Sequence, residues 1–135
     1  MRRIVITGAA ALAACGVLGM VPAAVQASSA SAPTWTKQAP AAHPTKRVSP
    51  AMAYDAATGI AVLFGGATTA GFPIGGTWTW DGSTWTKHSA AVKPRARTEA
   101  AMAYDAATGT AVLFGGYIEP RLGSRALQDD TWTWG

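Results

Sequence analysis

The chain has 135 residues, of which 49% are hydrophobic and 13% are charged, and its formal net charge is +4 at pH 7. Six tryptophans and so few charges exclude a disordered polyelectrolyte, and a single cysteine excludes a disulfide framework within the chain. The length allows at most one small domain, and its first fifth is typical of a targeting segment.

Residues 1–27 have the three parts of a secretory signal peptide. Arg2 and Arg3 supply positive charge, residues 4–21 are apolar, and small residues lead up to Ala27. We predict cleavage after Ala27 and a secreted protein. Residues 28–33 then form a short linker.

Cys15 offers an alternative to free secretion. It follows the tripeptide LAA, and this segment resembles the bacterial lipobox, in which the cysteine is acylated and becomes the new N-terminus. The alternative is therefore a lipoprotein that is anchored through Cys15.

Cleavage after Ala27 leaves nine Lys or Arg residues against seven Asp or Glu residues. The longest basic run in this part is Lys46 and Arg47, so we expect no nucleic-acid partner.

An internal repeat dominates the rest of the chain. Residues 51–66 and 101–116 are identical at 15 of 16 positions, at a spacing of 50. The repeat extends in both directions: TWTK at 34–37 recurs at 84–87, and TWTW at 77–80 recurs at 131–134 with a spacing of 54. A fixed period of this length indicates a repeat protein.

Each repeat unit is predicted to contain four short strands. The apolar segments at 51–54 and 61–64 flank the turn at 55–59, and the segments at 77–80 and 84–87 flank Asp81 and Gly82. Both turns are typical of tight hairpins. Thr and Trp alternate in the later strands, so one face should be aromatic and the other hydroxylated.

This order of motifs resembles the kelch repeat. The features are Tyr-Asp, a Thr-Gly turn, an apolar strand ending in two glycines, and Thr-Trp-Thr-Trp, over residues 34–134. The resemblance implies an all-β fold built from four-stranded antiparallel propeller blades, with units at about 34–87 and 97–135 in a domain of 34–135. Kelch blades often place Asp before the Thr-Trp strand, as Asp130 is here, but Gly76 has that place in the first unit.

Most of the aromatic residues and paired glycines are predicted to be structural. Inside alternating strands, tryptophans fill the space between neighbouring blades, and the glycines allow sheets to approach closely. Stacking of the tryptophans on sugar rings is the alternative. Besides Trp35, the structural positions are Tyr54, Gly65, Gly66, Trp78, Trp80, Trp85, Tyr104, Gly115, Gly116, Trp132 and Trp134.

A ligand is expected at the end of the sheets that carries the long connections, because binding residues concentrate on variable loops of a rigid scaffold. This end is mildly basic, which suits an acidic glycan or an acidic protein surface. The candidate residues are Arg47, Arg95, Arg97, Tyr117, Arg121 and Arg125, with Lys46 and Lys93 nearby. Arg47 and Arg97 have an alternative role, which is to brace a loop by bonding carbonyls or a carboxylate.

No catalytic, metal or cofactor site is predicted. His43 and His88 have no zinc spacing and no nearby nucleophile motif, and Asp129 with Asp130 supplies too few oxygens for calcium. Galactose-oxidase-like enzymes share the kelch fold, but their tyrosine–cysteine cross-link needs a cysteine, which the predicted mature chain lacks. We therefore expect a binding module and not an enzyme. The alternatives are a truncated fragment of a larger propeller or a galactose-oxidase-like enzyme.

Counting strands predicts self-association. A strand at 34–37, a blade at 51–87 and three further strands amount to two blades, whereas closed propellers have about four to eight. If the strand at 34–37 completes the last blade of another copy, identical chains close into a ring. We expect a homo-oligomer, with a trimer favoured. An incomplete chain is the alternative.

Overall fold

The computed structural model describes residues 31–119 and 123–135, and in these ranges the chain is all-β, with nine strands and no helix. It therefore holds no helix that is long and apolar enough to cross a membrane there. The chain divides into two units, Met1–Trp35 and Thr36–Gly135. In the first unit only residues 31–35 are described, and they form neither helix nor strand. The predicted leader at 1–27, with Cys15, lies outside the described residues.

The first repeat unit is a four-stranded antiparallel sheet, as the sequence predicts. Its strands lie in the order β1-β2-β3-β4, and each pairs with its neighbours in the chain. We call it sheet 1. Its strands are β1 (Ala51–Asp55), β2 (Ile60–Phe64), β3 (Thr77–Trp80) and β4 (Trp85–His88).

Aspartate side chains organise the tight turns of sheet 1. Asp55 Oδ1 accepts the Ala57 N–H at 2.8 Å, and Gly59 closes the turn at a φ of 73°. Asp81 Oδ1 accepts the Ser83 N–H at 2.9 Å and the Thr84 N–H at 2.7 Å. Because Thr84 belongs to this turn, β4 starts one residue later than predicted.

The second repeat unit forms a three-stranded antiparallel sheet, which we call sheet 2. Its order is β5-β6-β9, and a separate two-stranded hairpin of β7 and β8 lies in the connection between β6 and β9. The sequence predicts a plain loop there. The strands are β5 (Ala101–Asp105), β6 (Thr110–Phe114), β7 (Tyr117–Ile118), β8 (Ala126–Leu127) and β9 (Thr131–Trp134).

Cross-strand register gives each sheet two different faces. Ala51 pairs with Phe64 and Met52 pairs with Leu63, which in turn pairs with Trp78, so like side chains share a face. We call one the alanine face: Ala51, Ala53, Val62 and Phe64 in sheet 1, and Ala101, Ala103, Val112 and Phe114 in sheet 2. The other is the tryptophan face: Met52, Tyr54, Trp78 and Trp80 in sheet 1, and Met102, Tyr104, Trp132 and Trp134 in sheet 2.

The core lies between the alanine face of sheet 1 and the tryptophan face of sheet 2. Phe64 and Leu113 are buried at one end of this contact, where Met102 and Trp132 pack against them. Val62 and Ala111 are buried at the other end, beside Trp134. Two tryptophans thus fill the space between the repeat units, whereas Trp78 and Trp80 lie on the face that points away from sheet 2.

The paired glycines let the connecting segments run directly against the sheets. Gly66 donates its N–H to the Arg97 carbonyl at 2.9 Å, which links the two repeat units. A methyl group at Gly66 would stand 2.8 Å from the Val48 carbonyl oxygen, and one at Gly116 would stand 2.6 Å from that of Thr98. Both glycines also have positive φ angles, 100° and 84°. No other residue fits these two positions without strain.

The segment at 34–37 is predicted to be a strand, but in the structure it forms none. Trp35 is fully exposed. The equivalent segment at 84–87 falls largely within β4, which has β3 as a neighbour. A strand needs such a neighbour for its N–H and C=O groups, and the TWTK sequence alone does not supply one.

Substitutions of the glycines test whether the connecting segments pack directly against the sheets at Gly66 and Gly116. Gly66→Ala and Gly116→Ala each combine an unfavourable φ with a backbone clash, so we expect each to lower the free energy of unfolding by about 2–3 kcal/mol. Gly82→Ala is the matched control, since Gly82 has a φ of 99° and open space around it. It should cost only about 1 kcal/mol. Equal losses at all three positions in urea unfolding would contradict the close approach.

Candidate binding face

The long connections leave the sheets at one end, as the sequence predicts. Because the strands alternate in direction, β1, β3, β5 and β9 begin and β2 and β6 end at the same side. The segments at 65–76, 89–100, 115–119 and 123–130 emerge there, and the tight turns lie opposite. We call this side the loop end. It carries the predicted ligand contacts.

Arg97 is buried and acts as a brace at the loop end. Its side chain is 1% exposed. One guanidinium nitrogen donates to the Gly115 carbonyl at 3.0 Å, and Nε donates to the Arg95 carbonyl at 3.2 Å. Both terminal nitrogens bind the Asp130 carboxylate, one of them at 2.9 Å. A ligand cannot reach the buried guanidinium. Arg97 therefore braces the loop, which is the alternative role given above, and does not contact a ligand.

Asp130 is the residue that the sequence interpretation missed as the partner of Arg97. Hydrogen bonds from Arg97 and from Trp132 Nε1–H, the latter 2.7 Å long, hold the pKa of its carboxyl well below the ordinary value. The signal was present, because Arg97 precedes β5, Gly115 follows β6 and Asp130 precedes β9, all at one end of the sheet.

Arg47 holds the equivalent place in the first unit but without a carboxylate. It is half-buried and donates to the Gly65 carbonyl at 2.9 Å and to the Thr45 carbonyl at 3.0 Å. Gly76 stands where the second unit has Asp130. Burial lowers the pKa of Arg47 from its ordinary value. Its role as a ligand contact stays a prediction.

Tyr117 is largely buried, and the part that remains accessible lines a cleft together with Glu119 and Arg125, so it stays a predicted aromatic contact. Its ring lies beneath the guanidinium of Arg125, whose central carbon is 4.5 Å from the ring centroid. This cation–π contact holds Arg125 in place while leaving it exposed. Arg95 is also exposed. Arg121 lies outside the described residues.

Arg95 and Arg125 line two clefts that share Glu119. The first cleft, about 220 Å³, lies between the segment at 70–71 and Arg125. The second, about 160 Å³, lies between Pro73 and Arg95. Glu119 lines both, and its carboxylate accepts the Gly123 N–H at 2.6 Å.

Phe72 is an exposed aromatic residue that the sequence interpretation did not select. It stands in the chain between Gly71, which lines the first cleft, and Pro73, which lines the second. Thr68 Oγ1 accepts the Phe72 N–H at 3.1 Å, which fixes this short loop. A lone Phe in a variable connection carries no repeat signal, so only the folded loop shows its position.

The histidines take local hydrogen bonds. His43 Nδ1 is 3.0 Å from the Pro44 carbonyl oxygen, and His88 Nε2 is 2.7 Å from Thr79 Oγ1. The His88 ring also stands edge-on to Trp134, with centroids 5.1 Å apart. In the described part of the chain, no three His, Cys, Asp or Glu side chains are grouped so that they could hold a metal ion.

No protein-family model matches this chain, and no curated protein matches it either. The residues at the loop end and the exposed faces of the two sheets are therefore the features that bear on function.

The ion pair between Arg97 and Asp130 should affect both the free energy of unfolding and its dependence on pH. Asp130→Asn leaves the buried Arg97 guanidinium without its charge partner and should cost about 2 kcal/mol, less than a fully buried pair because Asp130 is partly exposed. The folded-state pKa of Asp130 is lowered, so its contribution is complete above the unfolded-state value near 4 and is lost as the pH falls toward the folded-state value. Urea unfolding should therefore show a smaller loss of stability below about pH 4 in the variant.

Asp129→Asn is the matched control. Asp129 is the exposed neighbour in the chain, and its substitution should change stability by less than about 0.5 kcal/mol. Equal effects of the two substitutions would show that the carboxylate of Asp130 does not support the fold through Arg97.

Proposed function

We propose that this chain is a secreted binding module made of kelch-type propeller blades, which takes an acidic glycan at its loop end. The observation that carries the proposal is the pair of exposed arginines, Arg95 and Arg125, on two clefts that share Glu119 and are lined by the chain neighbours of the exposed Phe72. The four-stranded antiparallel sheet 1, the Asp-turns and the paired glycines support the kelch resemblance.

The chemistry of these side chains fits an acidic sugar. An arginine fork binds a carboxylate or a sulfate through two parallel hydrogen bonds. The exposed ring of Phe72 can pack against the C–H face of a sugar ring. The Glu119 carboxylate, which lines both clefts, can accept a sugar hydroxyl. Together they favour a saccharide with an anionic group over a uniformly anionic surface.

The charge balance of the loop end supports a moderate affinity for anions. Arg97 is neutralised by Asp130, so the free cations are those with exposed side chains. Among the described residues of the loop end, these are Lys46, Lys93, Arg95 and Arg125, and the acidic groups beside them are Glu99, Glu119 and Asp129. Because the charges are exposed, binding should weaken as salt is raised.

Binding to acidic glycans is the direct test. On a saccharide array, we expect the protein to bind sulfated or uronic-acid sugars and not their neutral counterparts. Arg95→Gln with Arg125→Gln should weaken binding at least tenfold, which corresponds to about 1.4 kcal/mol. Phe72→Ala should weaken it by a smaller factor. Lys37→Gln removes one exposed charge that lines neither cleft and serves as the control.

The possible results distinguish an error in the ligand class from an error in the location of the site. Acidic-glycan binding that survives the double arginine substitution would move the site away from these clefts. Binding only to acidic proteins would replace the ligand class, and the absence of any binding to anionic ligands would overturn the proposed function.

Secretion has its own test. When the full chain is produced in a secreting host, mass spectrometry of the released protein should find an N-terminus at Ser28, and Cys15→Ser should not change it. Retention in the membrane fraction that is abolished by Cys15→Ser would instead identify the lipoprotein.

A further inference from the structure

The two sheets expose opposite faces although their sequences are almost the same. Phe64 is 3% exposed, whereas its equivalent Phe114 is 52% exposed. Tyr54 is 60% exposed, whereas its equivalent Tyr104 is half-buried against sheet 1. Each exposed face is therefore a copy of a surface that is covered inside the same chain.

We propose that copies of this chain associate head to tail. The exposed alanine face of sheet 2 in one copy packs on the exposed tryptophan face of sheet 1 in the next copy. This contact repeats the internal one: Phe114 takes the place of Phe64, and Met52 and Trp78 of the next copy take the places of Met102 and Trp132. A second copy is the occupant because the chain itself carries both complementary surfaces.

A polar pair gives this contact a register. In the internal contact, the Tyr104 hydroxyl of sheet 2 faces the Asp55 carboxylate of sheet 1, and this proximity raises the pKa of Tyr104 above its ordinary value. The equivalent pair between copies is Tyr54 and Asp105. Both residues belong to the identical repeat segments, so the same polar pair can meet across the new contact.

The free edge of β9 adds a second, independent match. In sheet 1, β3 pairs with β4, and Trp80 lies opposite Trp85 with their ring centroids 5.4 Å apart. β9 has the TWTW sequence of β3, and in the described ranges only β6 pairs with it. The segment at 34–37 has the TWTK sequence of 84–87 and no strand partner.

One displacement satisfies both the face and the edge. The operation that relates sheet 1 to sheet 2 inside the chain also relates sheet 2 to sheet 1 of the next copy. If residues 34–37 of that next copy take the strand conformation of 84–87, they can pair with β9, with Trp35 opposite Trp134 as Trp85 is opposite Trp80. An unpaired edge and an exposed apolar face are hazards in a soluble protein, and this contact covers both.

Head-to-tail contacts between identical chains either close into a ring or continue as an open filament. For copies that hold two such sheets each, a closed array of about four to eight sheets corresponds to two, three or four copies. Three copies remain our expectation.

The mass of the secreted protein in solution is the first measurement. Light scattering should give one discrete species of two to four copies. Met52→Arg places a charge on the tryptophan face, and Ala103→Arg places one on the alanine face, so each variant alone should be a folded monomer. Leu127→Arg is the control, because Leu127 is an exposed apolar residue outside both faces, and it should leave the assembly intact.

Mixing the two variants gives the sharpest result. The Met52→Arg variant keeps an intact alanine face, and the Ala103→Arg variant keeps an intact tryptophan face. These two faces should pair into a one-to-one dimer, which has no further intact face with which to extend. Circular dichroism and tryptophan fluorescence establish that the variants fold. If an arginine variant does not fold, Tyr54→Asn and Phe114→Gln replace the pair as milder changes on the same faces.

Three results would overturn the proposal. They are a wild-type monomer at micromolar concentration, an assembly that both face variants leave intact, and a mixture of folded variants that stays monomeric. If the wild-type protein is a stable monomer and a saccharide binds its tryptophan face, that face is a sugar-stacking surface and the proposed assembly is wrong.

Discussion

The ion pair between the buried Arg97 guanidinium and Asp130 organises the loop end of the second repeat unit. It joins the connection that enters β5, the end of β6 and the start of β9, and these segments meet only because β6 lies between the other two strands. Since a buried guanidinium must have its donors satisfied, this arrangement ties the loops to the topology of the sheet. The exposed Arg95 and the Arg125 side chain stacked on Tyr117 are thus held on a fixed base.

The first unit shows the same arrangement without its anion. Arg47 bonds carbonyl oxygens, and Gly76 adds no carboxylate. Two units of nearly identical sequence therefore differ in how firmly their loops are held. The difference comes from Gly76, the residue before β3, and from the longer connection before β9. That longer connection also holds the β7–β8 hairpin, which carries the aromatic base beneath Arg125.

Local signals in the sequence predict much of the fold. Asp55 and Asp81 define their turns through hydrogen bonds within three residues, and the alternation of Thr and Trp defines two faces. Non-local features escape the same reasoning. Phe64 and Phe114 are identical in sequence context, so only their neighbours decide which is buried. The contact of Arg97 with Asp130 spans 33 residues, and Phe72 depends on the path of one variable loop.

The near identity of the repeats also bears on how the chain reaches its structure. β1 and β5 both read AMAYD, and β2 and β6 differ at one position. During folding, β1 can pair with β6 almost as well as with β2, since the side chains that meet are the same. Hairpin closure favours the correct partner because it joins strands that are close in sequence, whereas the exchanged pairing must close a long loop. The short turns at 55–59 and 105–109, which Asp55 and Asp105 organise, therefore carry most of the selection between the two arrangements.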